Sequence, residues 1–95
     1  MMDARFLRNE MLWGKEGQAR LARAHVILFG LGGVGSYVAE CLARSGIGEL
    51  TLVDGDTVAL SNLNRQLEAL SSTIGLPKAE AVARRIAEIN PEAVL

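Results

Sequence analysis

The residues best suited to chemistry begin with Gly30, Gly32 and Gly35, spaced G-x-G-x-x-G within HVILFGLGGVGSYVAE (25–40). In a strand-to-helix turn, the first glycine of this pattern lets the chain reverse tightly. The second brings bare backbone against a phosphate, and the third packs the helix close to the strand. The helix that starts there offers unbonded N–H groups and its positive dipole end to an anion. Asp54 stands 19 residues past Gly35, where a carboxylate ending the next strand accepts hydrogen bonds from ribose hydroxyls. A dinucleotide and a triphosphate satisfy these features equally.

The residues that follow bear on that choice. Asp56 is another of the chain's three aspartates, and a second carboxylate beside phosphates serves where oxygen ligands hold Mg²⁺. The alternative is that DGD (54–56) is a turn chosen for its backbone. In SNLNRQ (61–66), Arg65 could stabilise the negative charge that builds as an α–β phosphate bond breaks. Asn62 and Gln66 could orient phosphate or metal-bound water; otherwise the stretch is a polar surface loop. Lys78 follows Pro77, which suits a first helical position. A cation in that turn opposes the helix dipole by about 0.3–1 kcal/mol. A bound anion would offset this, or else an exposed lysine tolerates it.

These residues must be positioned by strands and helices in alternation. Asp3 to Ala24 reads as an amphipathic helical arm, broken near Gly14 and Gly17, with Phe6, Leu7, Met11 and Leu21 on its apolar faces. HVILF is short, apolar and closed by glycine, the pattern of a strand buried on both faces. Val34, Val38, Cys41, Leu42 and Ser45 then share one helical face, and Gly46 stops the helix. This places Cys41 in the core. GELTLVDGD (48–56) reads as a second strand, followed by about twenty mixed residues rich in turn formers. A helical period returns from Pro77, with Ala79, Val82, Ala83, Ile86 and Ile89 on one face. Asn90 and Pro91 end that helix, and EAVL (92–95) resembles the start of a third strand. The order predicts an α/β, Rossmann-like parallel sheet with helices on both faces. A first strand is normally central in such a sheet, so the chain is expected to be an incomplete N-terminal part of the domain. An exposed apolar edge would follow.

Composition narrows the field. The 95 residues carry a net charge of −1, so no basic field draws the chain as a whole onto nucleic acid. One cysteine, Cys41, cannot form an internal disulfide, which fits a reducing compartment. The longest stretch without full charges, Ala24 to Ala39, holds four glycines and falls short of the roughly 20 apolar residues of a membrane helix. No membrane partner and a cytoplasmic location are expected. His25 has no ligand partner at metal spacing, Trp13 is too isolated for a stacking platform, and no zinc spacing occurs.

Together, GLGGVGS, LVDGDTVALSNLNRQ and GLPKAEAVARRIAEINP resemble the adenylating domain of the E1-like (ThiF/MoeB/HesA) superfamily over nearly the whole chain. The resemblance implies ATP with Mg²⁺. RFLRNEMLWG (5–14), GVGSYVAECLARSGIGELTLVD and the run from Ser61 to Pro91 resemble the branch that acts on N6-threonylcarbamoyladenosine in tRNA. Asn64 is part of that likeness, because sulfur-carrier activators often have Gln there. ATP would activate the modified base's carboxylate as an acyl-adenylate, and internal attack would close it to the cyclic form. Carried over by position, Gly30, Gly32, Gly33 and Gly35 form the phosphate turn and Asp54 holds the ribose. Asp56 lies near the Mg²⁺–phosphate region, while Asn62, Arg65, Gln66 and Lys78 surround the triphosphate. Arg8 resembles an arginine that reaches a partner subunit's ATP, which implies a homodimer. The branch also implies tRNA as substrate and a sulfur-transfer partner protein. Residues 1–24 form the arm and 25–95 the first part of the adenylation domain. Downstream metal and adenine contacts are missing, so the chain alone is expected not to turn over.

Three other readings compete. One is adenylation of the C-terminal glycine of a ubiquitin-like sulfur carrier. Another is an NAD-dependent oxidoreductase, which gives Arg65 and Lys78 no task. The last is a non-catalytic nucleotide-binding remnant.

Overall fold

The computed structural model describes residues 4–95. Met1 to Asp3, where the helical arm was expected to begin, lie outside the described residues. A 3-10 turn (Ala4–Phe6) leads into α1 (Leu7–Arg23), followed by β1 (His25–Phe29), α2 (Gly35–Ser45), β2 (Glu49–Val53) and α3 (Lys78–Ile89). A second 3-10 turn, Leu60–Asn64, lies in the long connection before α3.

β1 and β2 pair in parallel from His25↔Glu49 to Phe29↔Val53, as strands joined by a helical crossover must. Val94 adds a parallel bridge to Glu49, its N–H donating to Gly48 O at 2.9 Å. The expected third strand therefore starts on the far edge of β2.

The core lies between this sheet and two helices. Leu31, Ile47, Leu50 and Ile86 are almost fully buried, with Ala39, Ala43 and Val82 among them and Val26, Leu28 and Leu52 packed against them. Each such large aliphatic side chain contributes about 1.5–3 kcal/mol on burial. α2 packs on α3, and both cover the same sheet face. The opposite face, where further helices were expected, presents Ile27, Phe29 and Val53 to solvent, with Phe29 75% exposed. HVILF is therefore covered on one face in this chain, not on both. Across the open face, His25 Nε2 shares a 2.7 Å hydrogen bond with Thr51 Oγ1.

The expected core face of α2 is also corrected. Ser36, Ala39 and Ala43 are buried, whereas Val34 and Val38 are exposed and so is Cys41. Small side chains let α2 approach both the sheet and α3, so close packing selects the small stripe and leaves the more apolar one outside. Gly46 ends α2 at φ 93°, as expected. At the end of α3, Asn90 is buried and its Nδ2 donates to Ala43 O and Ile47 O, tying the two helix ends together. Arg85 grips Glu40 of α2 through Nε (2.8 Å) and Nη2 (3.1 Å), and Arg44 also reaches this carboxylate. The Arg85 hydrogen bond leads these contacts in holding Glu40 below the usual carboxylate range, against the effect of burial.

α1 breaks at Gly14 (φ 76°) alone, and Gly17 stays helical. The arm docks on the C-terminal end of α2. Asn9 Nδ2 donates to Arg44 O, and Gln18, buried, accepts from Trp13 Nε1 and donates to Ser45 O. No helix among the described residues is long and apolar enough to cross a membrane.

Candidate functional site

The site is built at the carboxyl edge of the sheet from the connections that leave β1 and β2. Gly30 continues the strand ladder, donating to Val53 O at 2.8 Å, and then turns at φ 91°, a conformation glycine adopts without penalty. Leu31 drops its side chain fully into the core, which fixes the turn's depth. A Cβ on Gly35 would overlap the Gly30 carbonyl, so helix and strand meet at a distance only glycine permits. Between them, the N–H groups of Gly32, Gly33 and Val34 have no partner among the described residues. They lie at the positive end of α2.

Asp54 fastens the turn to β2. Its Oδ2 accepts from Leu31 N at 2.7 Å and its Oδ1 from Asp56 N at 2.8 Å. Burial pushes this carboxyl up, but the two N–H bonds, with Lys78 nearby, outweigh it and hold Asp54 below the usual range. Each oxygen keeps a lone pair for a further donor, so the carboxylate can also accept from a ribose. Asp56 is exposed, and its carbonyl accepts from Lys78 N at 2.9 Å.

The second connection folds back over the first. It is pinned at its base by Val58 N donating to Leu76 O and Gly75 N donating to Val58 O. Its Val58 and Ala69 form a small second core with Ala81 of α3. Asn62 is buried and its Oδ1 accepts from Ala59 N at 2.8 Å, so this oxygen closes the 3-10 turn. The turn in turn aims Arg65 and Gln66 at the glycines. A Cβ at Gly33 would lie 3.5 Å from Arg65 Cδ, and one at Gly32 would lie 4.0 Å from Gln66 Nε2. Arg65 is exposed, and Asn64 Oδ1 (2.7 Å) and Ser61 O (3.3 Å) accept from its Nη1. Lys78 is only 7% exposed, at the start of α3.

Gly30, Gly32, Gly33, Gly35, Asp54, Arg65, Gln66 and Lys78 are thus gathered at one sheet edge, with Asp56 at its rim and Asn62 bracing the loop. Arg8 is not brought there. The arm carrying it packs at the opposite end of α2, about 16 Å away for eleven helical residues. Sequence reasoning missed Glu68, which lies in the same loop, 1% exposed, with neither carboxyl oxygen hydrogen-bonded. Nothing in LEAL (67–70) signals it. No group of three or more His, Cys, Asp and Glu among the described residues could hold a metal ion.

The strand–glycine turn–helix unit, with Arg65 packed beside Gly33, is that of a Rossmann-like domain. A family model for ThiF matches residues 6–95, and the chain belongs to the ThiF family. It is 55% identical over 87 residues to the tRNA threonylcarbamoyladenosine dehydratase of Bacillus subtilis, covering 92% of this chain and 34% of that protein. Molybdopterin-synthase adenylyltransferase of Salmonella typhimurium is 47% identical over 76 residues, covering 80% and 30% respectively. The crystal structure of Escherichia coli tRNA N6-threonylcarbamoyladenosine dehydratase, TcdA, in complex with ATP superposes with a TM-score of 0.93 at 49% identity. That match covers 95% of this chain and 37% of the other. The chain spans about a third of the length of each of these relatives.

Proposed function

We propose that this chain forms the phosphate-binding front of an ATP-dependent adenylating enzyme acting on N6-threonylcarbamoyladenosine in tRNA. One observation carries the reading. Arg65 and Gln66, from a distant part of the sequence, lie directly over Gly33 and Gly32, where N–H groups have no protein partner. An oxidoreductase has no use for an arginine there, whereas a triphosphate does. The room a Cβ would fill at Gly32 is the room a phosphate needs to reach the backbone.

In this reading the N–H groups of residues 32–34 hold phosphate oxygens and Asp54 orients the ribose. Arg65, steadied by Asn64 and Ser61, neutralises charge on the bridging and leaving phosphates, and Lys78 adds a second cation from below. ATP supplies the adenylyl group: a substrate carboxylate oxygen attacks the α-phosphorus and pyrophosphate leaves. Asp56, exposed at the rim, would hold a Mg²⁺ ion, which would offset charge on the phosphates. Arg8 completes the site of a second copy in a homodimer, tRNA is the substrate, and a sulfur-transfer protein is a partner. The setting is cytoplasmic. Kinship to molybdopterin-synthase adenylyltransferase supports the same chemistry on a carrier protein's C-terminus as the second reading.

Calorimetry of the purified chain with Mg·ATP and with NADH tests the proposal. Saturable Mg·ATP binding that weakens in Arg65→Ala is expected, and NADH binding without ATP binding overturns it.

A further inference from the structure

Glu68 has no task in the site as described so far, and it belongs to a segment that is fastened by very little. Among the described residues, residues 59–76 hydrogen-bond to one another, apart from two bonds with Val58 at the base and one to α2. That one runs from Leu67 N to Ser36 Oγ and is stretched to 3.5 Å. At the base, Gly75 turns at φ 91° with nothing within 4 Å of where a Cβ would stand. Apolar burial adds little. Leu60, Leu63, Leu70 and Ile74 are exposed, and Ala69 is the segment's only fully buried apolar side chain. A groove of about 530 Å³ separates residues 67–73 from α3. Few buried contacts and few outside bonds mark a segment that opens locally while the rest stays folded.

What this segment does bury is polar. Glu68 is 1% exposed with neither carboxyl oxygen hydrogen-bonded, and Gln66 Oε1 is buried and unpaired as well. Thr73 Oγ1 donates to the Glu68 carbonyl at 2.6 Å and fixes its backbone. A carboxyl without partners, away from water, is tolerated when neutral and costly as an anion. The cations around it are engaged elsewhere. On α3, Arg84 holds Glu80 at 2.7 Å and Arg85 holds Glu40 of α2 at 2.8 Å, while Glu88 adds negative charge along the groove. Arg65 of the segment itself is exposed and donates to Asn64 and Ser61. Lys78 and Asp54 are felt with opposite signs, and neither bonds to the Glu68 carboxyl. Burial is the largest influence on that carboxyl and pushes it up.

We propose that residues 59–76 are a lid over the glycine turn, latched shut by the neutral Glu68 carboxyl, and that loss of its proton opens the lid. The O–H bond on one Glu68 oxygen breaks, the proton passes to solvent water, and no other covalent bond changes. Opening brings the carboxylate into water and lifts Arg65 and Gln66 off Gly33 and Gly32, beside which they lie when the lid is shut. The closed form binds the proton more readily than the open one, whose carboxyl is solvated. Closure is therefore unopposed below the ordinary glutamate range and weakens as pH rises, until Glu68 passes its raised closed-state value. Across that window the ratio of open to closed lid grows by up to about tenfold per pH unit. The latch stands whatever binds at the turn; its effect on binding rests on the nucleotide reading.

Methyl NMR of the purified chain, labelled at alanine and isoleucine, tests the latch without a nucleotide. Ala69 and Ala81 share the small second core, so a nuclear Overhauser contact between their methyls reports a shut lid. Ile86 in the main core reports that the rest of the fold is intact. As pH rises, the Ala69–Ala81 contact is expected to fade with the midpoint of the Glu68 carboxyl carbon, above the ordinary glutamate range, with Ile86 unmoved. In Glu68→Gln the contact is expected to persist at every pH. Glu68→Leu, which needs no hydrogen-bond partner, should do the same even if a buried amide loosens the lid. A contact that survives the Glu68 titration, or fades equally in both variants, overturns the proposal. Calorimetry with Mg·ATP reads the consequence for the site. Kd is expected to rise with pH more steeply in the native chain than in Glu68→Leu, by up to about tenfold per unit. Equal pH dependence in the two overturns the lid's hold on the site. Absence of Mg·ATP binding at every pH defeats the nucleotide reading, and the methyl contact then decides the latch.

Discussion

From Phe29 to Gly35 the chain passes from strand to helix in five residues; from Val53 to Lys78 it takes 24. The short crossover works with backbone. Its glycines, one buried leucine and the bond from Leu31 N to Asp54 leave the N–H groups of residues 32–34 without a partner. The long crossover works with side chains. It closes its own base, forms a small core and lays Arg65 and Gln66 over the glycines. One element presents partnerless backbone N–H groups and the other presents side chains, so damage to each should read out differently.

The largest effect is expected at Gly35. A Cβ there meets the Gly30 carbonyl, and backbone cannot move aside as a side chain can. Gly35→Ala should therefore lose about 3 kcal/mol or more in urea unfolding. A change within a few tenths would show that the short crossover is not rigid. Arg65→Ala should do the opposite, leaving the unfolding midpoint nearly unchanged because the side chain is exposed. Loss of its charged contacts should weaken Mg·ATP roughly tenfold to a hundredfold in calorimetry. Equal losses of stability and binding would erase the distinction between the crossovers.

Asn62→Ala sits between these cases. It frees the Ala59 N–H that Asn62 Oδ1 satisfies, so about 1 kcal/mol of stability should go. Binding should fall with it, because Arg65 and Gln66 follow directly on this turn. Gly32→Ala sharpens the contrast further. Its Cβ meets nothing closer than 4.0 Å, so stability should shift by no more than about 0.5 kcal/mol while nucleotide binding is lost.

The smallest expected effect lies outside both crossovers, at Glu40. Its carboxyl is held low by Arg85 first, then Arg44. The folded form thus binds its proton less readily than the unfolded one. The stability it contributes is present above the ordinary carboxylate range and is lost as pH falls through its lowered value. Thermal unfolding at descending pH should show Glu40→Gln converging on the native chain in acid, from a difference of about 1 kcal/mol near neutrality.

The two crossovers also differ in how far they could be read in advance. The glycine turn is legible because its requirements are local: a positive φ and a close approach leave glycine as the only residue that fits, and spacing does the rest. The long connection reads in the sequence as a mixed loop rich in turn formers, because the folding of Arg65 and Gln66 onto Gly33 and Gly32 depends on contacts between segments about thirty residues apart. Superfamily resemblance identified those residues, and physics alone left them open. Glu68 escaped both routes, since burial of a lone acid leaves no trace in periodicity. The face of α2 was misjudged for a related reason. Two stripes, one more apolar and one smaller, share the helical period, and hydrophobicity favours Val34 and Val38. Packing distance favours Ser36, Ala39 and Ala43.

The sequence by itself determined what short-range rules govern. These are the alternation of strands and helices, the helix end at Gly46, the glycine turn with Asp54 opposite it, and the apolar face of α3. Tertiary structure alone decided which helix face is buried and which sheet face stays open. It also decided that Asn90 and Glu40 join α2 to α3, and that Lys78 and Glu68 are buried. Steric and dihedral preferences act within a few residues and are written in local spacing. Burial and electrostatics act between segments, and come into being only when the chain has brought those segments together.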